Sequence, residues 1–450
     1  MAMGKFIRLM MAVAVATGSV CGAVAYAQSR GGMPAGMPAG MPAGMPGGIP
    51  GPAGGPGSTG GPSTPFPHEP PIWAGGLPDQ AQNGLATAAA AQNYRLSKPQ
   101  LDRATEIANA APEQYEVDRN GALAIRGEVL VSGYDAAHLT RLERAGFTVL
   151  RRSEIGDLGI EFAVVGHDGM SAARALKRLR QLDPDGSFDL NHVFFESGRD
   201  GERAPRAMEG SVSDQGQPEV VGLIDTGVAR TAESSPRIRI IRRNFAPTES
   251  NGAPHGTAIA SLMARAPGRV TIYAADIFGS GLRGGTAELM IQAMGWMAGQ
   301  RVPVINISMV GPPNSLVANA TRVMISRGFI IVAPVGNDGA AAKLLFPASY
   351  PGVVAVSGSD GAGRLLPEAS RVKRVDFVAP GVATVVDPQG RDSIVRGTSF
   401  AAPLVSRRLA GYARSPDPAT ARQAIKRLAQ SAVRPNAGRE WFGFGLIAPQ

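Results

Sequence analysis

The chain has 450 residues, of which 58 are Gly and 36 are Pro, so part of it lies outside any packed core. At roughly 100–200 residues per domain, two folded domains plus unstructured sequence fit this length. The formal charge of +9 comes from scattered short groups such as Arg151-Arg152, Lys177-Arg178 and Arg242-Arg243. No RNA-binding aromatic motif or zinc-finger spacing accompanies them, which argues for a solvated basic surface and against a nucleic-acid partner.

In chain order, Lys5 and Arg8 precede an apolar or small-residue run from Leu9 to Ala25, and Ala25-Tyr26-Ala27 offers a small-x-small cleavage pattern. Residues 1–27 are expected to be an export signal, giving a secreted or periplasmic protein. Gly18, Ser19 and Gly22 dilute the run below a good spanning helix, so no stable membrane span is expected after cleavage. The only cysteine, Cys21, lies inside this segment; the mature chain then has no disulfide and no thiol nucleophile. Residues 28–75 open on a Met33-Pro34-Ala35-Gly36 tetrad that repeats and decays. Collagen needs Gly at every third position, so a period of four predicts a disordered, partly extended spacer.

Residues 76–198 read as a small α+β domain. Ser97-Lys98-Pro99 predicts a helix start, with the helix running to about Ala110. Asn120-Gly121 is a hairpin signal, and Ala122 to Val131 alternates as a strand. A helix from Asp135 to Ala145, strands at Phe147–Leu150 and Ile160–Val165, a helix from Ser171 to Leu182 and a strand at Phe188–Phe195 complete the order β-α-β-β-α-β, that of a ferredoxin-like sandwich. Residues 199–217 are polar and irregular, which predicts a linker or processing region.

From 218 to 450 the grammar changes. Val220–Ile224, Val270–Ile277, Val302–Ile307, Ile330–Val335, Val353–Val356 and Val375–Val378 are short, nearly continuous apolar runs, suited to strands buried on both faces of a parallel sheet. Helical stretches lie between and after them: Gly256–Arg265, Thr286–Ala298, Leu316–Arg327, Phe400–Tyr412 and Ala419–Ser431. The fold class expected is α/β, doubly wound with a mostly parallel sheet, preceded by the small ferredoxin-like domain. Reactive groups in such sheets gather at the carboxyl ends of the strands.

Three segments there combine chemistry with punctuation: Leu223-Ile224-Asp225-Thr226-Gly227, His255-Gly256-Thr257-Ala258 and Gly397-Thr398-Ser399-Phe400-Ala401-Ala402-Pro403. Asp225 ends a buried strand. His255 and Ser399 stand where Gly/Thr/Ser clusters open helices, with backbone N–H groups and the positive dipole end turned to the site. Gly256 is expected to leave room for a substrate chain. Of five histidines, His255 alone lies in this domain.

Taken together, these segments resemble the subtilisin-like serine proteases, in the chain order Asp…His…Ser, over the stretch from about Glu219 to Pro449. A fourth motif, Ala333-Pro334-Val335-Gly336-Asn337-Asp338-Gly339, stands in the right place between them. The resemblance implies an endopeptidase that works through an acyl-enzyme, with Asp225, His255 and Ser399 as catalytic triad. It also implies an oxyanion site made by the Asn337 amide and the Ser399 N–H. Ser308, Met309 and Val310, with Ala333 and Gly336, would flank a polypeptide substrate. The family commonly has glycine where Val310 stands, so a narrowed pocket favouring small or medium apolar residues is expected.

The small domain resembles the propeptides of this family, which implies a folding aid and intramolecular inhibitor, cut away by self-processing between about Phe195 and Pro218. No cofactor is expected, and no metal site, since no zinc spacing or acidic calcium loop is present. Two other function classes compete. A catalytically silent, peptide-binding scaffold has no need of all three triad residues. An α/β-hydrolase esterase places its nucleophile in Gly-x-Ser-x-Gly with acid and histidine following, unlike the surroundings of Ser399.

Overall fold

The computed structural model describes residues 94, 96–198, 217–233, 235–280, 285–340, 345–372, 374–435 and 441–448. The expected export signal, the Met-Pro-Ala-Gly spacer and nearly all of the processing region at 199–217 lie outside these residues. Among the described residues, no helix is long and apolar enough to cross a membrane.

The small domain begins with α1 (Lys98–Ala110), capped by the Ser97 hydroxyl accepting the Gln100 N–H at 3.4 Å. Strands β1 (Tyr115–Val117) and β2 (Leu123–Ser132) form a hairpin. Its turn is held by the Asp118 carboxylate, which accepts the Asn120 and Ala122 N–H groups at 2.7 and 2.8 Å. Then come α2 (Ala136–Arg144), β3 (Thr148–Ile155), β4 (Ile160–Gly166), α3 (Ala172–Leu182), β5 (Ser187–His192) and β6 (Phe195–Glu196). The antiparallel sheet runs β5-β2-β4-β3, with β1 pairing the start of β2. This is the split β-α-β arrangement that the element order implied.

The large domain contains β7 (Glu219–Asp225), β8 (Ile238–Asn244), α4 (Pro254–Arg265), β9 (Val270–Asp276), α5 (Ala287–Gly299), β10 (Val304–Ile307), β11 (Met309–Val310), α6 (Ser315–Ser326) and β12 (Ile330–Pro334). It continues through β13 (Val354–Ser359), β14 (Phe377–Pro380), the hairpin β15 (Val382–Val386) and β16 (Asp392–Arg396), then α7 (Thr398–Tyr412) and α8 (Pro418–Ser431). Seven strands form one parallel sheet in the order β14-β13-β12-β10-β7-β9-β8. Alternate residues of each strand face opposite layers. Ile224, Ile305 and Ala333 join the core under α5 and α6, whereas Leu223, Val304 and Val332 join the core under α4, α7 and α8.

The first of these cores continues into the small domain through Leu130, Ile160, Phe162 and Val164, so the open face of the small sheet rests on α5 and α6. Close approach is possible because α5 carries glycine at two positions one turn apart. A methyl group on Gly295 would overlap Ile155, and one on Gly299 would overlap Asp157.

Several elements differ from expectation. The expected strand Phe188–Phe195 breaks after His192, because the chain there leaves its own sheet for the large domain. Strand β3 extends through Arg151-Arg152-Ser153-Glu154, whose polar side chains conceal an exposed strand. Strand β8 escapes the apolar pattern for a similar reason: an edge strand that carries Arg239, Arg242, Arg243 and Asn244 is mostly solvent-facing.

Candidate active site

Asp225 is the last residue of β7, at the carboxyl end of the parallel sheet and beside β10, where the chain crosses from β9 over β7. Its side chain is fully buried, and Oδ1 accepts the Thr226 N–H at 2.7 Å and the Thr226 hydroxyl at 3.2 Å. Thr226 in turn accepts the Gly256 N–H on Oγ1 at 2.8 Å, which ties the strand end to the first turn of α4. A methyl group on Gly256 would overlap the Thr226 carbonyl. The space expected there for a substrate is therefore taken by the chain's own turn.

His255 is the second residue of α4, following Pro254, whose missing N–H suits a helix start. Ser399 is the second residue of α7, after Gly397 at φ 146°. The fold brings these three together although 30 and 144 residues separate the pairs: His255 Nδ1 lies 2.8 Å from Asp225 Oδ1, and His255 Nε2 lies 3.1 Å from Ser399 Oγ. His255 and Ser399 are 1% and 0% exposed, and the Phe400 ring packs 5.4 Å from the imidazole. One imidazole thus stands between a hydroxyl and a carboxylate, an arrangement able to move a proton off the hydroxyl.

Asn337 follows Gly336, whose φ of 98° demands glycine. Thr398 locks this turn from both sides: its hydroxyl accepts the Gly336 N–H at 3.2 Å, and its N–H donates to Asn337 Oδ1 at 2.9 Å. With Oδ1 so engaged, Asn337 Nδ2 is left without a partner among the described residues and faces the Gly397–Ser399 turn. The Ser399 N–H belongs to the first helical turn, where backbone donors have no intrahelical acceptor.

Ser308, Met309 and Val310 form the wall opposite. The Ser308 hydroxyl donates to the Ser399 carbonyl at 3.2 Å and accepts from Asn306 Nδ2 at 2.6 Å. Ala333 sits one residue inside the end of β12, paired with Ala355 and fully buried in the sheet, so Gly336 stands nearer the cleft. Among the described residues no group of three or more His, Cys, Asp or Glu could hold a metal ion.

The cleft is occupied by the chain itself. The Phe194 N–H donates to the Gly285 carbonyl at 2.8 Å and Val193 bridges Thr286. On the other side, β6 pairs antiparallel with β11, Phe195 with Val310 and Glu196 with Met309. The Ser197 N–H then donates to the Ser308 carbonyl at 3.5 Å. Gly198 comes next, and a methyl group built on it would lie 2.6 Å from Ser399 Oγ. Residues 193–197 therefore run as the central strand between two edges of the large domain, ending at the Ser399 hydroxyl. No local motif marks this occupancy, and by its sequence the run Phe188–Phe195 reads as one unbroken strand.

Residues 216–445, 230 of the 450, match Peptidase S8, the Subtilase family. Subtilisin DY of Bacillus licheniformis is 29% identical over 247 residues, covering 50% of this chain and 88% of that protein. A cuticle-degrading serine protease of Arthrobotrys oligospora is 27% identical over 244 residues, covering 51% of this chain and 58% of that protein. Among solved structures, fervidolysin from Fervidobacterium pennivorans, described as a keratinolytic enzyme related to subtilisin, shares the fold with a TM-score of 0.60 at 19% identity. That likeness covers 75% of this chain and 62% of fervidolysin. The epidermin leader peptide processing protease of Staphylococcus aureus has a TM-score of 0.55 at 17% identity, covering 72% of this chain and 96% of that one. Both covers exceed the half matched by the family, so the likeness of fold extends beyond the large domain.

Proposed function

The chain belongs to the subtilase family and is a serine-type endopeptidase acting on polypeptides, and we propose that Asp225, His255 and Ser399 are its catalytic triad and that its first substrate is its own segment Phe194–Gly198. The observation carrying this reading is the segment's path: it lies paired along β11 and reaches the hydroxyl that His255 contacts.

In the proposed reaction, Ser399 Oγ attacks the Ser197 carbonyl carbon while His255 Nε2 takes the hydroxyl proton. Asp225 keeps the proton on Nδ1 and stabilises the imidazolium. The oxyanion would be met by Asn337 Nδ2 and the Ser399 N–H, donors held in place before charge develops. The imidazolium then protonates the departing Gly198 amine, leaving Ser197 as the acyl-enzyme. Water, deprotonated by the same imidazole, releases it. The Ser197–Gly198 bond is chosen because Ser197 pairs with Ser308, and Ser308 itself contacts Ser399.

While the segment stays in the cleft, no other peptide can pair with β11, so the small domain acts as an inhibitor until it departs. Export is proposed on the leader pattern of residues 1–27, which fits an enzyme that must stay silent during passage. The test is expression of the full chain with and without Ser399→Ala. The unsubstituted chain should lose its N-terminal domain, begin at Gly198 and react with a fluorophosphonate. The Ser399→Ala chain should stay whole and unlabelled. An unchanged processing pattern in the variant would mean that another protease makes the cut, and an unlabelled wild-type chain would leave only a silent peptide-binding scaffold.

A further inference from the structure

We infer that Leu345 sets the specificity of the cleft and confines it to peptides with glycine, alanine or serine immediately before the scissile bond; this rests on the reading of Phe194–Gly198 as the first substrate. Leu345 precedes Phe346, whose backbone exchanges two hydrogen bonds with Gly311, at 2.9 and 3.1 Å. That pairing holds Leu345 beside the end of β11, along the wall that carries Met309 and Val310. Its side chain then reaches the facing wall, since a methyl group on Gly336 would overlap Leu345 Cδ1. Leu345 is 3% exposed and belongs to the same packed cluster as Met309, Val310 and Val335.

The side chain therefore spans the floor between the strand that binds the substrate backbone and the turn that carries Asn337. With Val310 it fills the volume that a long side chain would need in order to enter. The residue before the proposed cut is itself small: Ser197 is 4% exposed, and its hydroxyl has no hydrogen-bond partner among the described residues, so no polar contact selects it.

Apolar binding area is supplied instead three residues upstream. Phe194 is fully buried against Gly311, where a methyl group would overlap its ring. The substrate class is accordingly a polypeptide with an aromatic residue at that upstream position and a small residue before the cut. Large aromatic side chains bury enough surface there to hold the peptide, while a closed floor downstream rejects bulk.

The closing experiment uses enzyme matured from the full chain and chromogenic tetrapeptides that begin with Phe and end in Ala, Ser, Leu or Phe before the leaving group. We expect kcat/KM for Ala to exceed that for Phe by at least ~10-fold, the scale on which a hydrophobic pocket discriminates size. Leu345→Gly should reverse that order. In the full chain, Ser197→Phe should stop the processing size shift, and adding Leu345→Gly should restore it. Leu345→Ala serves as a second variant should the glycine not fold, and it should move the ratio the same way. A wild-type preference for Leu or Phe, or an unmoved ratio in both variants, overturns the inference. Fluorophosphonate labelling separates the two failures: a labelled enzyme with an unmoved ratio removes only the role of Leu345, whereas an unlabelled wild-type enzyme removes the protease reading as well.

Discussion

Asn337 holds its amide in one orientation because its carbonyl oxygen is committed to the Thr398 N–H, and the consequence is a donor with no partner among the described residues, facing the turn that carries Ser399. A donor of this kind acts only when negative charge develops, so it lowers the barrier more than it strengthens substrate binding. Asn337→Ala should reduce kcat by about 10²–10³ with little change in KM, as steady-state assays of the matured enzyme will read. An equal loss in binding would assign the residue to substrate holding instead. Position matters as much as identity here, since Gly336 at φ 98° sets the direction in which the next side chain leaves the turn.

At the scale of elements, α7 contains a proline in its interior, Pro403. Proline has no N–H to give, so the carbonyl four residues earlier loses its helical partner. That carbonyl belongs to Ser399, and the Ser308 hydroxyl takes it at 3.2 Å. The same hydroxyl accepts from Asn306, and Asn306 Oδ1 accepts from Ser406 at 3.0 Å. A buried polar chain thus fastens the helix that carries Ser399 to β10. Ser308→Ala leaves the carbonyl and the Asn306 amide unpaired, and each unsatisfied buried group costs about 1–3 kcal/mol. A lowered midpoint in urea denaturation should report the loss, and a midpoint equal to wild type would show that the chain carries no weight. Small-domain residues treat the large-domain helices in a comparable way. Asp189 accepts the Ser315 N–H at 2.7 Å and Asn191 accepts the Glu288 N–H at 3.2 Å, satisfying donors that the starts of α6 and α5 cannot satisfy internally.

Across the whole molecule, the two domains are joined by apolar contact and by Arg151, which bonds Glu288 of α5 at 2.7 Å and Glu128 of its own domain at 2.7 Å. Hydrogen bonding to Glu288, outweighing the desolvation that opposes it, raises the guanidinium above its usual range. Arg151 is 44% exposed, which discounts the pair through solvent screening, whereas Glu288 is 8% exposed and would be left buried without its counter-charge, held by the Asn191 amide at 3.3 Å. Arg151→Ala should therefore hasten release of the cleaved small domain roughly tenfold, measured as the lag before peptide hydrolysis, and the salt dependence of that lag should shrink. A second contact answers to pH. Burial raises the Asp338 carboxyl above its ordinary range, and a hydrogen bond with Ser97 only partly offsets this. The assembled state therefore favours the protonated form. Its stabilising share is complete below about pH 3.9, the usual aspartate value, and is lost as the pH rises through the raised one. Asp338→Asn should increase the melting temperature of the Ser399→Ala chain at neutral pH and leave it unchanged at pH 3. The reverse pattern would show that the carboxylate is a stabilising charge.

Residue types and spacing alone determined the doubly wound core and the small domain's element order. Buried parallel strands read as unbroken apolar runs, and amphipathic helices carry their period in the chain. They also marked Asp225, His255, Ser399 and Asn337, because turns and helix starts around such groups need glycine, threonine and proline in fixed places. Tertiary structure decided what depends on partners far away. β8 and the later part of β3 are strands because a neighbour pairs with them, despite polar faces that hide the pattern. The run from Phe188 splits because Phe194 to Ser197 bond to Gly285 and β11 instead of β2. Gly256 meets the Thr226 turn, and Leu345, with no motif around it, becomes the floor of a cleft. Local sequence encodes the preferences of a segment; which segment it meets is settled only when the whole chain has packed.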